Sequence, residues 1–252
     1  MAVGLMSSTA AGAAGQATSA QPRVLLIIPC FNEERSVGAV LEEIAALGRG
    51  YDAVVVDDGS TDGTYAAASA QSRTLRLTEN LGIGGAVQTG IKFAARNGYD
   101  FCVQIDGDGQ HPPGEVVRLI ESYRVRPFNL VVGSRFLCDG GLRPSGLRWL
   151  GSRMIAWTIM KLFRSGRITD PTSGMRLMDR SAIDFFSARY PSDFPEPISL
   201  AWALRSGLTV GETAVNMRSR EHGRSSIAGW KAIAYMVRVL SYIALARVAK
   251  VR

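Results

Sequence analysis

The sequence predicts an α/β fold, a mostly parallel sheet covered on both faces by helices, on three observations. Short apolar or β-branched runs alternate with longer stretches of helical spacing through the first 135 residues. Four of those runs end in clusters of polar residues, which is where open α/β sheets carry their ligands. The composition is ordinary for a globular chain: 252 residues, 46% apolar and 20% charged, with 27 Gly and 10 Pro. That balance excludes disorder, collagen and a disulfide scaffold, and the length accommodates a substantial core.

The elements follow in order. Val24 to Ile28 (VLLII) reads as a buried strand ended by Pro29. Glu33 and Glu34 then stand where a helix N-terminus welcomes negative charge, ahead of the apolar spacing Val37, Val40, Leu41 and Ile44. Ala53 to Val56 is a second strand, Tyr65 opens an Ala-rich helix, Thr74 to Leu77 is a third strand and Ala86 to Ala95 a helix. Phe101 to Ile105, Glu115 to Tyr123 and Leu130 to Val132 continue the pattern as strand, helix and strand. After Arg135 the rhythm changes. A long apolar helix (Leu147 to Phe163) precedes the loop TDPTSGMRLMDR, a helix near Ile198 to Arg205, a strand near Thr209 to Val215 and a terminal amphipathic helix.

Charge divides the chain. Residues 1–134 hold 10 Lys/Arg against 14 Asp/Glu (net −4), and residues 135–252 hold 19 against 8 (net +11). A basic half suits nucleic acid, anionic lipid head groups or a phosphate-bearing substrate, and charge alone does not choose among them. Cys30, Cys102 and Cys138 are odd in number and lack CxxC spacing, so they read as buried, reduced thiols of a cytosolic protein. Residues 1–22 are uncharged and rich in Ala, Gly, Ser and Thr, with neither the basic start nor the apolar core of a signal peptide. They read as a disordered tail.

The four strand-end segments are PCFNEE (Pro29 to Glu34), DDGSTDGT (Asp57 to Thr64), ENLGIGGA (Glu79 to Ala86) and DGDGQHPP (Asp106 to Pro113). Each alone is compatible with ordinary turn chemistry; four in succession point to a ligand site. Asp106, Asp108 and Gln110 alternate, and two carboxylates one residue apart repel unless a cation lies between them. Mg²⁺ takes one or two such carboxylates and completes its shell with substrate phosphates. His111 is either a further ligand or a residue that shapes the loop ahead of Pro112. The GIGGA glycines are not a dinucleotide fingerprint, because Val87 occupies the place of the third Gly.

From about Arg23 to Ser226 these motifs resemble the family 2 glycosyltransferases of GT-A fold, especially the dolichyl- and polyprenyl-phosphate sugar synthases. IPCFNEE resembles the family's opening strand and nucleotide-contacting loop, which implicates Pro29, Phe31 and Glu33. VDDGSTDGT resembles its acidic turn, with Asp58 on the base or ribose, and ENLGIGGAVQTG its N-x-G-x-x-x-A stretch, with Asn80 and Gly82 near the nucleotide. DGDGQHPP resembles the D-x-D-x-Q-H-P-P motif, which implies Asp106, Asp108 and Gln110 as ligands of Mg²⁺ or Mn²⁺, with Asp106 also near the nucleotide and Asp108 catalytic. In the basic half, VVGSRF resembles a strand whose Arg, here Arg135, meets the acceptor phosphate. Arg148 and Ser152 match an Arg and a Ser that line the acceptor site. TSGMR resembles the S-G-F-R loop. REHGRSS resembles R-x-x-G-x-S-K, with Arg220 as the catalytic cation on the diphosphate. Ser226 departs from that last pattern, which has Lys there, and Arg224 is the candidate substitute.

The resemblance implies a nucleotide-diphosphate sugar donor, a polyprenyl phosphate acceptor and a membrane surface as partners, with no nucleic acid. It divides the chain into the 1–22 tail, a GT-A domain over 23–226 and a membrane-surface helix over 227–252, peripheral on the cytoplasmic face. The apolar spacing Ile233, Val237, Leu240, Ala244 and the interfacial residue types Trp230, Tyr235, Tyr242, Lys231, Arg238 and Arg247 fit a helix lying on a bilayer. Met154, Ile155, Trp157, Ile159 and Leu162 form a second apolar stretch. Either helix also fits a core or oligomer role. Two alternatives stand beside the lipid-phosphate sugar synthase. One is a GT-A enzyme acting on a saccharide hydroxyl, for which Glu196 is the candidate base; the other is an inactive relative that binds anionic lipid.

Overall fold

The structure, a computed structural model, describes residues 21–137, 147–218 and 230–248, with 147–148 and 230–234 described by their backbone alone. A seven-stranded sheet runs in the order β3-β2-β1-β4-β6-β5-β7. Its strands are β1 (Val24–Cys30), β2 (Asp52–Asp57), β3 (Arg73–Arg76), β4 (Phe101–Gln104), β5 (Leu130–Ser134), β6 (Arg176–Asp179) and β7 (Val210–Ala214). β6 pairs antiparallel with both β4 and β5, while the other pairings are parallel.

Helices cover both faces, as the near-continuous apolar strands require. On one face Val37, Val40, Leu41 and Ile44 of α1 (Val37–Ala46) pack with α2 (Thr64–Ser69) and α4 (Glu115–Val125) against Leu26, Ile28 and Val103. On the other, α3 (Gly82–Arg96), α5 (Leu147–Phe163), α6 (Arg180–Ala188), α7 (Pro195–Arg205) and α8 (Trp230–Val248) share a core with Leu25, Ile27, Val56 and Val132. Gly90 of α3 lets the helix lie against Ile27, whose side chain occupies the place a Cβ would take.

The expected α/β alternation is present, with two additions. The TDPTSGMRLMDR segment, read as a loop, contains β6 and the start of α6. Arg176-Leu-Met-Asp lacks the β-branched residues and the alternation that mark a strand in sequence, and it becomes one by slotting between β4 and β5. The terminal helix also differs from a free surface helix. Its Val239, Ile243 and Ala246 are buried in the core, and Tyr235 meets Phe194 edge-on at 4.8 Å, just ahead of α7. Cys30 and Cys102 are free and buried, as expected; Cys138 lies outside the described residues.

The strand order places the site. From β1 the chain goes first to β2 on one side and later to β4 on the other, so a crevice opens between the β1 and β4 ends, the switch point at which open α/β sheets bind ligands. Because β6 runs the other way, the segment leading into it arrives at the same edge of the sheet.

Candidate active site at the strand ends

The loops after β1 and β2 are tied together by main-chain amides. Asn32 N donates to Ser60 Oγ (2.9 Å), Glu33 N to Thr64 Oγ1 (2.7 Å) and Thr61 N to Asn32 Oδ1 (3.0 Å). Asn32 is held at φ 57°, a left-handed conformation that Asn tolerates better than most residues. Asp58, 3% exposed, accepts the Leu81 amide at 2.8 Å, so it anchors the loop after β3. Burial pushes the Asp58 carboxyl pKa up, and the Leu81 and Gly82 amides work against that shift. Asn80 Oδ1 accepts Gly82 N at 3.0 Å, and Gly82 has φ +76°, an Asx turn that starts α3. Three adjoining loops therefore form one framework, on which Phe31, Leu81 and Ile83 are exposed while Pro29 is buried in β1.

The carboxylates gather around Cys30. Burial, and then the negative charge of Glu33, Asp57, Asp106 and Asp108, hold its thiol protonated. Gly107, between the two aspartates, lies so close to Cys30 Sγ that a Cβ would overlap it. Asp106 N donates to His111 Nδ1 at 3.0 Å, and His111 is 3% exposed. With Nδ1 accepting, the 3.5 Å approach of Asp106 Oδ2 to the same nitrogen is a contact rather than an ion pair. His111 thus shapes the loop. Asp108 Oδ1 accepts Gln110 N at 3.0 Å. Gln110 turns its amide nitrogen towards Arg218 O, a long 3.5 Å contact, and Arg218 N donates to Gln110 O at 2.9 Å. Arg218 in turn pairs with Glu43 of α1 through two hydrogen bonds of 2.6 and 3.1 Å.

Asp108 and Arg218, with Asn32, Glu33, Glu43 and Asp62 among others, line a cleft of about 480 Å³. A larger, shallower cleft of about 790 Å³ lies away from them, along β7 and α4. Among the described residues no three His, Cys, Asp or Glu side chains are grouped as a cation cage. The oxygen donors present fit a hard divalent ion all the same. Asp106 and Asp108 supply two carboxylates, the Asp106 side chain is 34% exposed, and Mg²⁺ or Mn²⁺ completes its shell with phosphate oxygens and water.

The basic half contributes a second constellation. Arg135 follows β5 and grips Asp170 through Nε (2.7 Å) and Nη2 (2.8 Å), with Nη2 also on Thr172 Oγ1 (3.2 Å). Burial opposes the Arg135 charge, but the Asp170 carboxylate outweighs it and raises the pKa. Glu212 of β7 fixes the same segment by accepting Thr169 N, Thr169 Oγ1 and Asp170 N at 2.7–2.9 Å. Ser152 of α5 is buried, with an Oγ that has no hydrogen-bond partner among the described residues. The side chain of Arg148, and all of Arg220, Arg224 and Ser226, lie outside the described residues.

Sequence reading thus placed the acidic residues at one mouth and carried Arg176 only within the TSGMR loop; it missed Asp170 and Glu212, which hold the basic side, and Arg218, which lies beside the acidic cleft. The signal available for Asp170 was an acid before Pro171 in an otherwise basic half. Glu212 and Arg218 carried no local signal.

A switched, mostly parallel sheet with acidic turns on its strand ends is the architecture of a GT-A glycosyltransferase. Residues 25–186 match the model of "Glycosyl transferase family 2". The chain is 30% identical to the polyprenol monophosphomannose synthase of Mycolicibacterium smegmatis, over 82% of each chain. It is 32% identical to the undecaprenyl-phosphate mannosyltransferase of Micrococcus luteus, over 82% of this chain and 88% of that one. In fold it is similar to glucosyl-3-phosphoglycerate synthase from Mycobacterium tuberculosis, crystallised with Mn²⁺, UDP-glucose and phosphoglyceric acid. That TM-score is 0.66 at 20% identity, covering 90% of this chain and 80% of that one. The chain belongs to glycosyl transferase family 2, and it is a glycosyltransferase.

Proposed function

We propose that this enzyme transfers a sugar from a nucleotide-diphosphate donor to a polyprenyl phosphate, with inversion at the anomeric carbon, at the cytoplasmic face of a membrane. The observation that carries the reading is the pairing of two opposite constellations at one sheet edge: the Asp106/Asp108 turn after β4, and Arg135 after β5. The relatives named for polyprenyl phosphate mannosylation support the choice of acceptor.

In this reading the nucleotide lies over the joined loops. Asp58, Asn80 and Gly82 border it, and the exposed Phe31 offers an apolar face to the base. Asp106 and Asp108, with Gln110 beside them, would hold Mg²⁺ or Mn²⁺. Such an ion, when bound, neutralises charge developing on the diphosphate as it leaves. Arg220 is proposed for the same leaving group, and Arg135, Arg148 and Ser152 for the acceptor phosphate. Guanidinium forks suit that task because they bind phosphate oxygens in pairs. A phosphate monoester is largely dianionic at neutral pH, with a second pKa of about 6, so the acceptor oxygen attacks without a protein base. Catalysis is then positioning plus charge stabilisation.

A hydroxyl acceptor would need a base, and Glu196 in the first turn of α7 is the candidate. Burial raises its carboxyl pKa, and the charge of Arg176 pulls it back, which suits proton abstraction. Glu196→Gln therefore separates the two readings. Transfer to polyprenyl phosphate is expected to stay within about threefold of the unsubstituted enzyme, whereas general-base catalysis would lose about 10²–10⁴-fold. The decisive assay combines the protein with Mn²⁺ or Mg²⁺, a panel of UDP- and GDP-sugars and a polyprenyl phosphate. Mass spectrometry identifies the lipid product and NMR its anomeric configuration. Product formed only on hydroxyl acceptors would refute the lipid-phosphate reading, and a retained anomeric configuration would refute inversion.

The membrane proposal rests on α5 and α8. Among the described residues no helix is long and apolar enough to cross a bilayer. Yet Trp149, Leu150, Met154 and Trp157 of α5, with Val237, Tyr242, Leu245 and Val248 of α8, are all 41–75% exposed. Arg153 lies over the Trp149 ring at 5.1 Å, and Arg238 and Arg247 are also exposed. Large apolar groups among cations are what an anionic bilayer surface recognises. Trp157→Glu is expected to weaken sedimentation with vesicles containing phosphatidylglycerol at least tenfold, while transfer to a short, water-soluble prenyl phosphate is unchanged. Equal sedimentation of the two proteins would remove α5 from the membrane contact.

A further inference from the structure

Arg176, the first residue of β6, is 0% exposed, and among the described residues no carboxylate pairs with it as a salt bridge. Each of its three nitrogens donates a hydrogen bond: Nε to Ser173 O (2.8 Å), Nη2 to Pro171 O (3.1 Å) and Nη1 to Ser199 Oγ of α7 (2.7 Å). One side chain thus closes the 171–173 turn on itself and fastens it to a helix. A buried guanidinium is a costly way to fill a core that apolar residues would fill at least as stably, so its position relative to the site is informative. The register sets Arg176 opposite Gln104 of β4. Continued two residues past the ladder, the same register brings Gly174 opposite Asp106. The side-chain geometry agrees: a Cβ on Gly174 would stand 3.1 Å from Asp106 Oδ1, 3.4 Å from Oδ2 and 3.1 Å from His111 Cε1. Asp106 is therefore enclosed between His111, which accepts its amide, and the bare backbone of Gly174.

We propose that Arg176 is a positioning residue for the cation-binding carboxylate: it fixes the Pro171–Met175 turn so that Gly174 confines Asp106 to one orientation. The inference rests on the reading of Asp106 as a cation ligand and adds to it the reason the carboxylate stays in place. Arginine is required because its planar fork reaches two carbonyls of the turn and the α7 hydroxyl at once, which the point charge of lysine does not. Glycine at 174 matters because a side chain there would crowd the carboxylate and His111, pressing Asp106 aside by a few tenths of an ångström.

The test measures Mn²⁺ binding to the purified protein, alone and with UDP or GDP, from the EPR signal of free Mn²⁺. Thermal unfolding without the cation is followed in parallel. Gly174→Ala is expected to weaken Mn²⁺ binding about three- to tenfold, because the added methyl presses on the Asp106 carboxylate. Ser199→Ala removes only the α7 arm of the clamp, and Arg176→Lys removes the fork; each is expected to weaken Mn²⁺ binding about three- to tenfold. The cation-free unfolding midpoint of Ser199→Ala stays within a few degrees of the unsubstituted protein, and this variant carries the test if Arg176→Lys does not fold. Mn²⁺ constants within twofold of the unsubstituted value in Ser199→Ala and in any folded Arg176→Lys would overturn the positioning role even if Gly174→Ala binds weakly. Failure of the unsubstituted protein to bind Mn²⁺ under any of these conditions would instead overturn the cation reading itself, and the inference with it.

Discussion

Asp108→Asn is expected to lower sugar transfer by at least ~10²–10³-fold, the usual loss when one charge-stabilising group is taken from a preorganised site. The substitution is conservative in shape. An amide oxygen at the same position still accepts the Gln110 amide that Asp108 Oδ1 receives at 3.0 Å, so the turn after β4 is retained. What disappears is a full negative charge at the cleft, and with it one of the two carboxylates that make a divalent cation favourable there. In the proposed mechanism the diphosphate would then leave without that neutralisation. Initial rates across a range of Mn²⁺ concentrations, with circular dichroism to verify the fold, check the expectation. The unsubstituted enzyme in excess chelator should fall to the level of the variant. A variant retaining more than a tenth of the normal rate would detach Asp108 from catalysis.

Asp170→Ala is expected to have the largest effect on stability. Asp170 is 0% exposed and accepts Arg135 Nε, Nη2 and the Arg135 main-chain amide at 2.7, 2.8 and 3.2 Å. Its removal strands a mostly buried guanidinium, whose side chain is 27% exposed, and breaking one partner of a buried pair costs about 3–5 kcal/mol. At ~2–4 °C per kcal/mol for a chain of this size, the unfolding midpoint should fall by about 10 °C. The pair also orients Arg135, so on the acceptor role proposed for that residue the KM for the phosphate acceptor should rise. Replacing both partners with apolar residues, as in the Arg135→Met, Asp170→Leu double variant, should recover most of the stability but none of the acceptor affinity. An unfolding midpoint within 2 °C of normal for Asp170→Ala would show that Arg135 is not held as described.

The two variants probe opposite sides of the site, and those sides differ in how far they were legible. Asp106, Asp108, Asp58 and Asn80 each follow a strand run directly, so an α/β alternation and a strand-end rule find them. Asp170 serves Arg135 across 35 positions, Glu212 serves Thr169 across 43, and Arg218 reaches Glu43 across 175. Nothing local marks such pairs. The terminal helix shows the same limit from another direction. Of the apolar stripe expected on it, Val237 and Ala244 face outward, and the buried face is Val239, Ile243 and Ala246. The helix is apolar on two sides, and its packing on α5 and α7 chose which side to cover.

Local periodicity and turn chemistry were enough to establish the alternating strands and helices, the acidic turns and their common edge, because each of these is written within a few residues of itself. The insertion of β6 between β4 and β5, the meeting of Gly174 with Asp106, and the capture of Arg135 by Asp170 depend on which strand lies beside which. That neighbourhood is settled by packing between segments far apart in the chain, and its energy has no counterpart in any short stretch of sequence.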